Sequence, residues 1–83
     1  MPYIKPEERP KMDEIVELMM MLDVKANGDL NYILFKYCQE SCLKNYNSIK
    51  NFIAELEECA HEIRRRILAP YEDEKIEEHG DIE

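Results

Sequence analysis

The chain has 83 residues, 36% of them charged, and a formal net charge of −8. That length bounds it to one small domain with a modest core, of a size that commonly leans on a partner chain, a metal or disulfides. The acidic balance argues against duplex nucleic acid, which wants a basic face, and the longest apolar run, Leu18 to Leu22, is far too short to span a bilayer.

No stretch alternates apolar and polar residues in the manner of a strand, and Leu, Ile, Glu, Lys and Met dominate. The class this implies is all-α: three main helices over about 10–25, 29–44 and 48–68 and a short C-terminal one over about 71–78, a small bundle completed by oligomerisation. The opening MPYIKPEERP carries no apolar run of the signal-peptide kind. Cys38, Cys42 and Cys59 are odd in number, which suits free thiols in a reducing, cytoplasmic setting better than a disulfide framework.

Residues 1–9 read as an extended arm with one tight turn. Pro6 suits a first helical position and Pro10 predicts a break before the first long helix. In that helix Met12, Ile15, Leu18, Met19 and Leu22 share one face, while Met20 and Met21 fall off the stripe as flexible apolar surface. Ala26-Asn27-Gly28 predicts the turn that ends it, with Asn or Gly in the left-handed position and Asp29 capping the next helix.

The second helix has an inner line of Leu30, Leu34, Tyr37, Cys38 and Ser41, but Tyr32, Ile33, Phe35, Cys42 and Leu43 occupy most of the remaining circumference. A helix apolar nearly all round is covered on more than one side. In a chain this small, the second cover has to come from another subunit. Met20, Met21, Tyr32, Phe35 and Leu43 are therefore the expected interface of a homo-oligomer, a dimer by preference.

The third helix is the longest amphipathic pattern. Ile49, Phe52, Ile53, Leu56, Ala60, Ile63 and Ile67 fall on one line, Asn47 or Ser48 serves as the cap, and Pro70 predicts a stop just after Leu68. Arg64, Arg65 and Arg66 would then lie in its last turn, facing the negative end of the helix dipole. After Pro70 comes a short acidic helix with Tyr71 and Ile76 as its apolar anchors, and residues 79–83 read as a flexible end. A turn at Pro70 would let Glu72, Asp73 and Glu74 fold back on the arginines of the same or a neighbouring chain.

Three constellations bear on chemistry. Glu14-x-x-Glu17 and Glu55-x-x-Glu58 with Glu62 have the spacing of paired carboxylates that hold Mg²⁺, as in all-α nucleotide pyrophosphatases of the MazG kind. Both sets face away from the apolar stripes, so a solvated face with a Glu62–Arg66 ion pair is the simpler reading. Glu57 flanks the core stripe, which suits an ion pair with Arg64 or a hydrogen bond to Tyr32 or Asn31. Cys38-x-x-x-Cys42, Cys59 and His61 supply metal-binding atoms without the knuckle spacing of structural zinc, which leaves buried, inert thiols. No catalytic residue, metal or cofactor is assigned.

Several stretches together resemble a known group. GDLNY (Gly28 to Tyr32), Leu56-Glu57, the Glu62 to Arg66 segment, APYEDEKIEEHGD (Ala69 to Asp81) and the opening PYIKPEER are similar to an uncharacterised family of short phage, prophage and microbial proteins. Members often carry Tyr at the position of Arg64, Asn at that of His79 and Cys at that of Glu58. The resemblance covers most of the chain. It implies a small helical protein of viral or mobile-element origin, and it carries no activity. It marks Asn31, Tyr32, Glu57, Glu62, Arg65, Arg66, Tyr71, Glu72, Asp73, Lys75, Gly80 and Asp81 as motif positions of unassigned role. The function expected is non-enzymatic: self-association and binding of an unidentified protein. The alternatives are a MazG-like nucleotide pyrophosphatase or nucleotide-binding protein and, more remotely, a regulator that binds nucleic acid through Arg64 to Arg66.

Overall fold

The computed structural model describes residues 4–42 and 44–80. Among them the secondary structure is helical throughout, with no strand. A 3-10 turn (Pro6–Glu8) leads into α1 (Arg9–Met21), followed by α2 (Gly28–Ser41) and α3 (Tyr46–Ile63). A π-helical turn (Arg64–Leu68) then carries the backbone into α4 (Ala69–His79) without interruption. The chain divides into two compact units, one ending at Phe52 and the other beginning at Ile53.

The turn begun at Pro6 ends at Glu8, and the first long helix starts at Arg9, one residue before Pro10. Pro10 occupies the second position of α1, where a backbone N–H would have no intrahelical acceptor in any case. The Pro6 carbonyl is taken by the Arg9 N–H through the 3-10 turn. Arg9 also donates its Nε–H back to the Ile4 carbonyl at 3.4 Å.

The end of α1 comes four residues sooner than the expected Lys25. Val24 N–H donates to Met19 O (3.0 Å) and Asp23 N–H to Met20 O (3.1 Å), the paired bonds of a Schellman closure. Asp23 holds the left-handed position, with φ 54°. Its short side chain is among the few that tolerate that conformation. Met19 and Val24, both half-buried, supply the apolar contact that accompanies such a closure.

Neither Asn27 nor Gly28 takes a left-handed conformation, and Asp29 is not the cap. Asn27 caps α2, its Oδ1 accepting from the Asp29 N–H at 2.9 Å. Asp29 reaches the other way, with Oδ2 accepting from the Lys25 N–H at 3.2 Å. At its far end α2 stops at Ser41, short of Lys44. The Ser41 hydroxyl bonds back to the Tyr37 carbonyl, and Cys42 turns extended, at φ −80° and ψ 137°. Leu43 lies outside the described residues. Asn45 then caps α3 by accepting from the Ser48 N–H at 2.9 Å. The helix therefore begins at Tyr46, two residues before the expected start.

Pro70 departs furthest from expectation. It is not a stop: α3, the π turn and α4 form one helical run from Tyr46 to His79. The Ala69 N–H donates to the Arg64 carbonyl, five residues back. Widening the helix by one residue just before the proline relieves the ring clash and the missing donor that a regular helix would suffer there. Arg64, Arg65 and Arg66 thus lie in the middle of a helical run rather than in a last turn. Gly80 ends it, at φ 81° with its N–H on the Ile76 carbonyl at 2.8 Å.

No side chain among the described residues is buried. In the unit ending at Phe52, partial cover falls on Met19, Val24, Leu30, Leu34, Cys38, Cys42, Ser48 and Phe52. Tyr37 packs its ring on Phe52 at 6.0 Å, tilted by 48°, yet stays largely exposed, and so does Ser41. The expected inner face of α1 is open at Met12, Ile15, Leu18 and Leu22. Along α3 the same holds for Ile49, Ile53, Leu56 and Ile63. The amphipathic helices form where periodicity placed them, but the apolar stripes do not close into a core.

Candidate interaction surface

The residues expected at an interface are on the surface. Met20 and Met21 are each 78% exposed, Tyr32 63% and Phe35 67%; Leu43 falls outside the described residues. Met20 borders a recess of about 390 Å³ lined by Val16, Met19, Val24, Ala26 and Leu30, made where the Schellman closure turns the chain back beside the start of α2. Phe35 borders a second recess of about 220 Å³ with Cys38, Cys42 and Ile49. Lys36 lies 5.7 Å over the Tyr32 ring and donates to the Tyr32 hydroxyl at 3.3 Å.

Below Phe35 runs a chain of weak sulfur contacts. The Cys38 thiol donates to Cys42 Sγ at 3.7 Å, and the Cys42 thiol donates to the Ser48 carbonyl at 3.9 Å. Partial burial pushes the Cys38 thiol above its ordinary range, helped by the hydrogen bond and the charge of a Cys42 thiolate. A raised thiol is a poor nucleophile at neutral pH, which suits a packing role that ties α2 to the start of α3. Cys59 is an exposed free thiol.

The motif residues fall into two short lines and several separate positions. In the first line, Arg65 Nη2 forks across both Glu62 oxygens at 3.1 Å, and Arg66 Nη1 lies 3.7 Å from the same carboxylate. Glu62 is the most covered ionisable side chain of these, at 23% exposure. In the second, Lys75 sits 5.5 Å over the Tyr71 ring and pairs with Glu78 at 3.2 Å. Asn31, Glu57, Glu72 and Asp73 are exposed. Glu57, on the flank of the apolar stripe, thus carries its carboxylate in the open. Gly80 is the helix terminator already described, and Asp81 lies outside the described residues.

The carboxylates considered for Mg²⁺, namely Glu14, Glu17, Glu55 and Glu58, are all exposed. Among the described residues no group of three or more His, Cys, Asp and Glu is placed to hold a metal ion. No helix of the described residues is long and apolar enough to cross a membrane. Sequence reasoning missed two features of this surface, the π turn and the Schellman closure at Asp23. A proline shortly after a basic triplet was the only local signal of the first. The second left no signal stronger than an Asp where a glycine is more usual.

No curated protein matches the chain, and no solved structure does. Residues 1–82 match the family model described as a domain of unknown function, DUF6899, and the chain belongs to that family.

Proposed function

We propose that this protein is a non-enzymatic helical module that works by self-association and by binding other proteins, in the cytoplasm. One observation carries the reading: helices with continuous apolar stripes leave every described side chain at least partly open to water. Covering one Leu, Ile or Phe is worth about 1.5–3 kcal/mol, and short helices without tertiary cover are marginal in water. A chain with this much uncovered apolar surface is stabilised by surface from outside itself. The methionines at the end of α1 suit such a role, since their flexible side chains repack readily against different partners. The similarity of the APYEDEKI segment to short phage and prophage proteins supports an origin in a mobile element.

The test is sedimentation velocity of the full chain at micromolar concentration, followed by capture of partners. A dimer or larger species is expected. A Phe35→Glu variant should self-associate more weakly, because a charge without a partner is costly inside an interface. A clean monomer at all concentrations would remove the self-association half of the reading.

A further inference from the structure

We infer that Cys38 and Cys42 form half of a zinc site, which a second copy of the chain completes with its own Cys38 and Cys42. Four thiolates, two from each copy, hold one ion on the two-fold axis that relates them, beside Phe35. The inference rests on the self-association reading above and names the contact and the ligand that join the copies.

The first observation is the spacing. Cys38 Sγ and Cys42 Sγ lie 3.7 Å apart. Zinc bound to thiolates at about 2.3 Å in a tetrahedron sets neighbouring sulfurs about 3.8 Å apart, so the pair already stands as one edge of that figure. The backbone holds it there. The Cys42 N–H donates to the Cys38 carbonyl at 3.0 Å, which stacks the two side chains one helical turn apart on the same face of α2. A direct disulfide fits less well. Residues one turn apart keep their β-carbons about 5–6 Å apart, and a disulfide needs about 3.5–4.5 Å. Two thiols in plain contact lie about as close as these do, so the surroundings have to carry the rest.

Those surroundings are open, matched in charge and short of ligands. Both cysteines are half-buried and border the recess of about 220 Å³ that they share with Phe35, Gln39, Lys44 and Ile49. Phe35, at its edge, is one of the residues expected at an interface, and it is exposed. Four thiolates around one Zn²⁺ leave a net double negative charge. Lys44 is exposed on the lining of the same recess, and each copy brings one such cation to offset it. Among the described residues of one chain no third His, Cys, Asp or Glu joins the pair to hold a metal. Structural zinc takes four protein ligands, so the site is incomplete without the second copy. The raised Cys38 thiol does not oppose binding, because a dication beside both sulfurs deprotonates them outright. What coordination gives up is weak, a contact from the Cys42 thiol to the Ser48 carbonyl at 3.9 Å. Cys59 belongs to the other compact unit and serves as the control.

The experiment uses the full-length chain, freed of metal with EDTA and kept reduced. Co²⁺ is titrated first, since its absorption reports how many thiolates surround it, and Zn²⁺ then displaces it. Saturation is expected at half an equivalent per chain, with the spectrum of an all-sulfur tetrahedron. Sedimentation equilibrium should show self-association roughly tenfold or more tighter with Zn²⁺ than with EDTA, because an ion held by the pair and not by the single chain pulls the equilibrium towards the pair. Cys38→Ser and Cys42→Ser should each lose both the spectrum and the tightening, and Cys59→Ser should keep both. Circular dichroism checks that each variant keeps its helices, and the wild-type measurements decide even where a variant unfolds. Self-association equal with Zn²⁺ and with EDTA would overturn this inference and leave the self-association reading standing. So would a self-associating chain that saturates at one equivalent, or one whose spectrum is lost in Cys59→Ser. A chain monomeric with and without Zn²⁺ would overturn both.

Discussion

Asp23 offers a measurement in which the sign alone decides. Its φ of 54° places it where a Cβ costs roughly 1–2 kcal/mol against a glycine. Its carboxylate also pairs with Lys25 at 2.9 Å, at 77% and 61% side-chain exposure for the acid and the amine. A pair so exposed is worth at most a few tenths of a kcal/mol after screening. Comparing Asp23→Gly with Asp23→Ala cancels these side-chain effects, because both variants lose the bridge and the negative charge at the helix C-terminus. What remains is backbone. Glycine avoids the steric cost of about 1–2 kcal/mol, and alanine recovers about 0.4–1 kcal/mol by restricting the unfolded chain. The glycine variant should therefore be the more stable by about 0.5–1 kcal/mol. Urea titration followed at 222 nm, with protein concentration held fixed, reads the difference. Were residue 23 in an ordinary helical or extended conformation, the order would reverse and alanine would win. An alanine variant more stable than the glycine variant refutes the Schellman closure at this position.

Two further outcomes follow from other parts of the chain. Cys38 is raised above the ordinary thiol range by its partial burial, so the fold favours the neutral thiol. That contribution is fully present below the ordinary thiol pKa and is lost as pH rises through the higher folded value. Cys38→Ala should flatten the alkaline limb of the stability profile, and labelling with a thiol reagent at neutral pH should modify the exposed Cys59 well before Cys38; equal labelling rates would contradict the assignment. Pro70→Ala restores a backbone donor and lets the π turn relax to a regular helix. It should raise the melting temperature of dilute protein, because a backbone hydrogen bond is regained and the irregular turn is no longer needed. A melting temperature lowered by Pro70→Ala would show that the π turn is not a response to the proline.

Much of the helical layout was legible from periodicity alone. Met12, Ile15 and Met19, or Ile53, Leu56 and Ile63, recur at a spacing no strand could use, and the helices lie over those residues. The ends were less legible because they depend on which of several competent polar residues closes the turn. Asn45 won over Asn47 and Ser48, and Asn27 over Asp29, through hydrogen bonds that composition cannot rank. Pro70 was misread for a different reason. Its local chemistry does forbid a regular helix, but Arg64–Leu68 had room to widen ahead of it, a response distributed over five residues that no single one of them encodes. As for the interaction surface, Met20, Met21, Tyr32 and Phe35 are exposed, which leaves open what they meet. A stripe states that a face needs covering. It does not name the cover.

The absence of buried side chains among the described residues also fixes how the protein responds to heat and denaturant. The denaturant slope and the heat-capacity increment of unfolding both scale with the apolar area newly exposed. A solitary chain has less apolar area left to expose than a domain of its length with a closed core, so its unfolding is broader and shallower, with a less curved dependence of free energy on temperature. An assembly that covers the stripes exposes them on unfolding, and its transition is steep and its curve strongly bowed. Dilution would then change the breadth of the melt along with its midpoint, and calorimetry would read assembly from curvature before any change in molecular mass was measured.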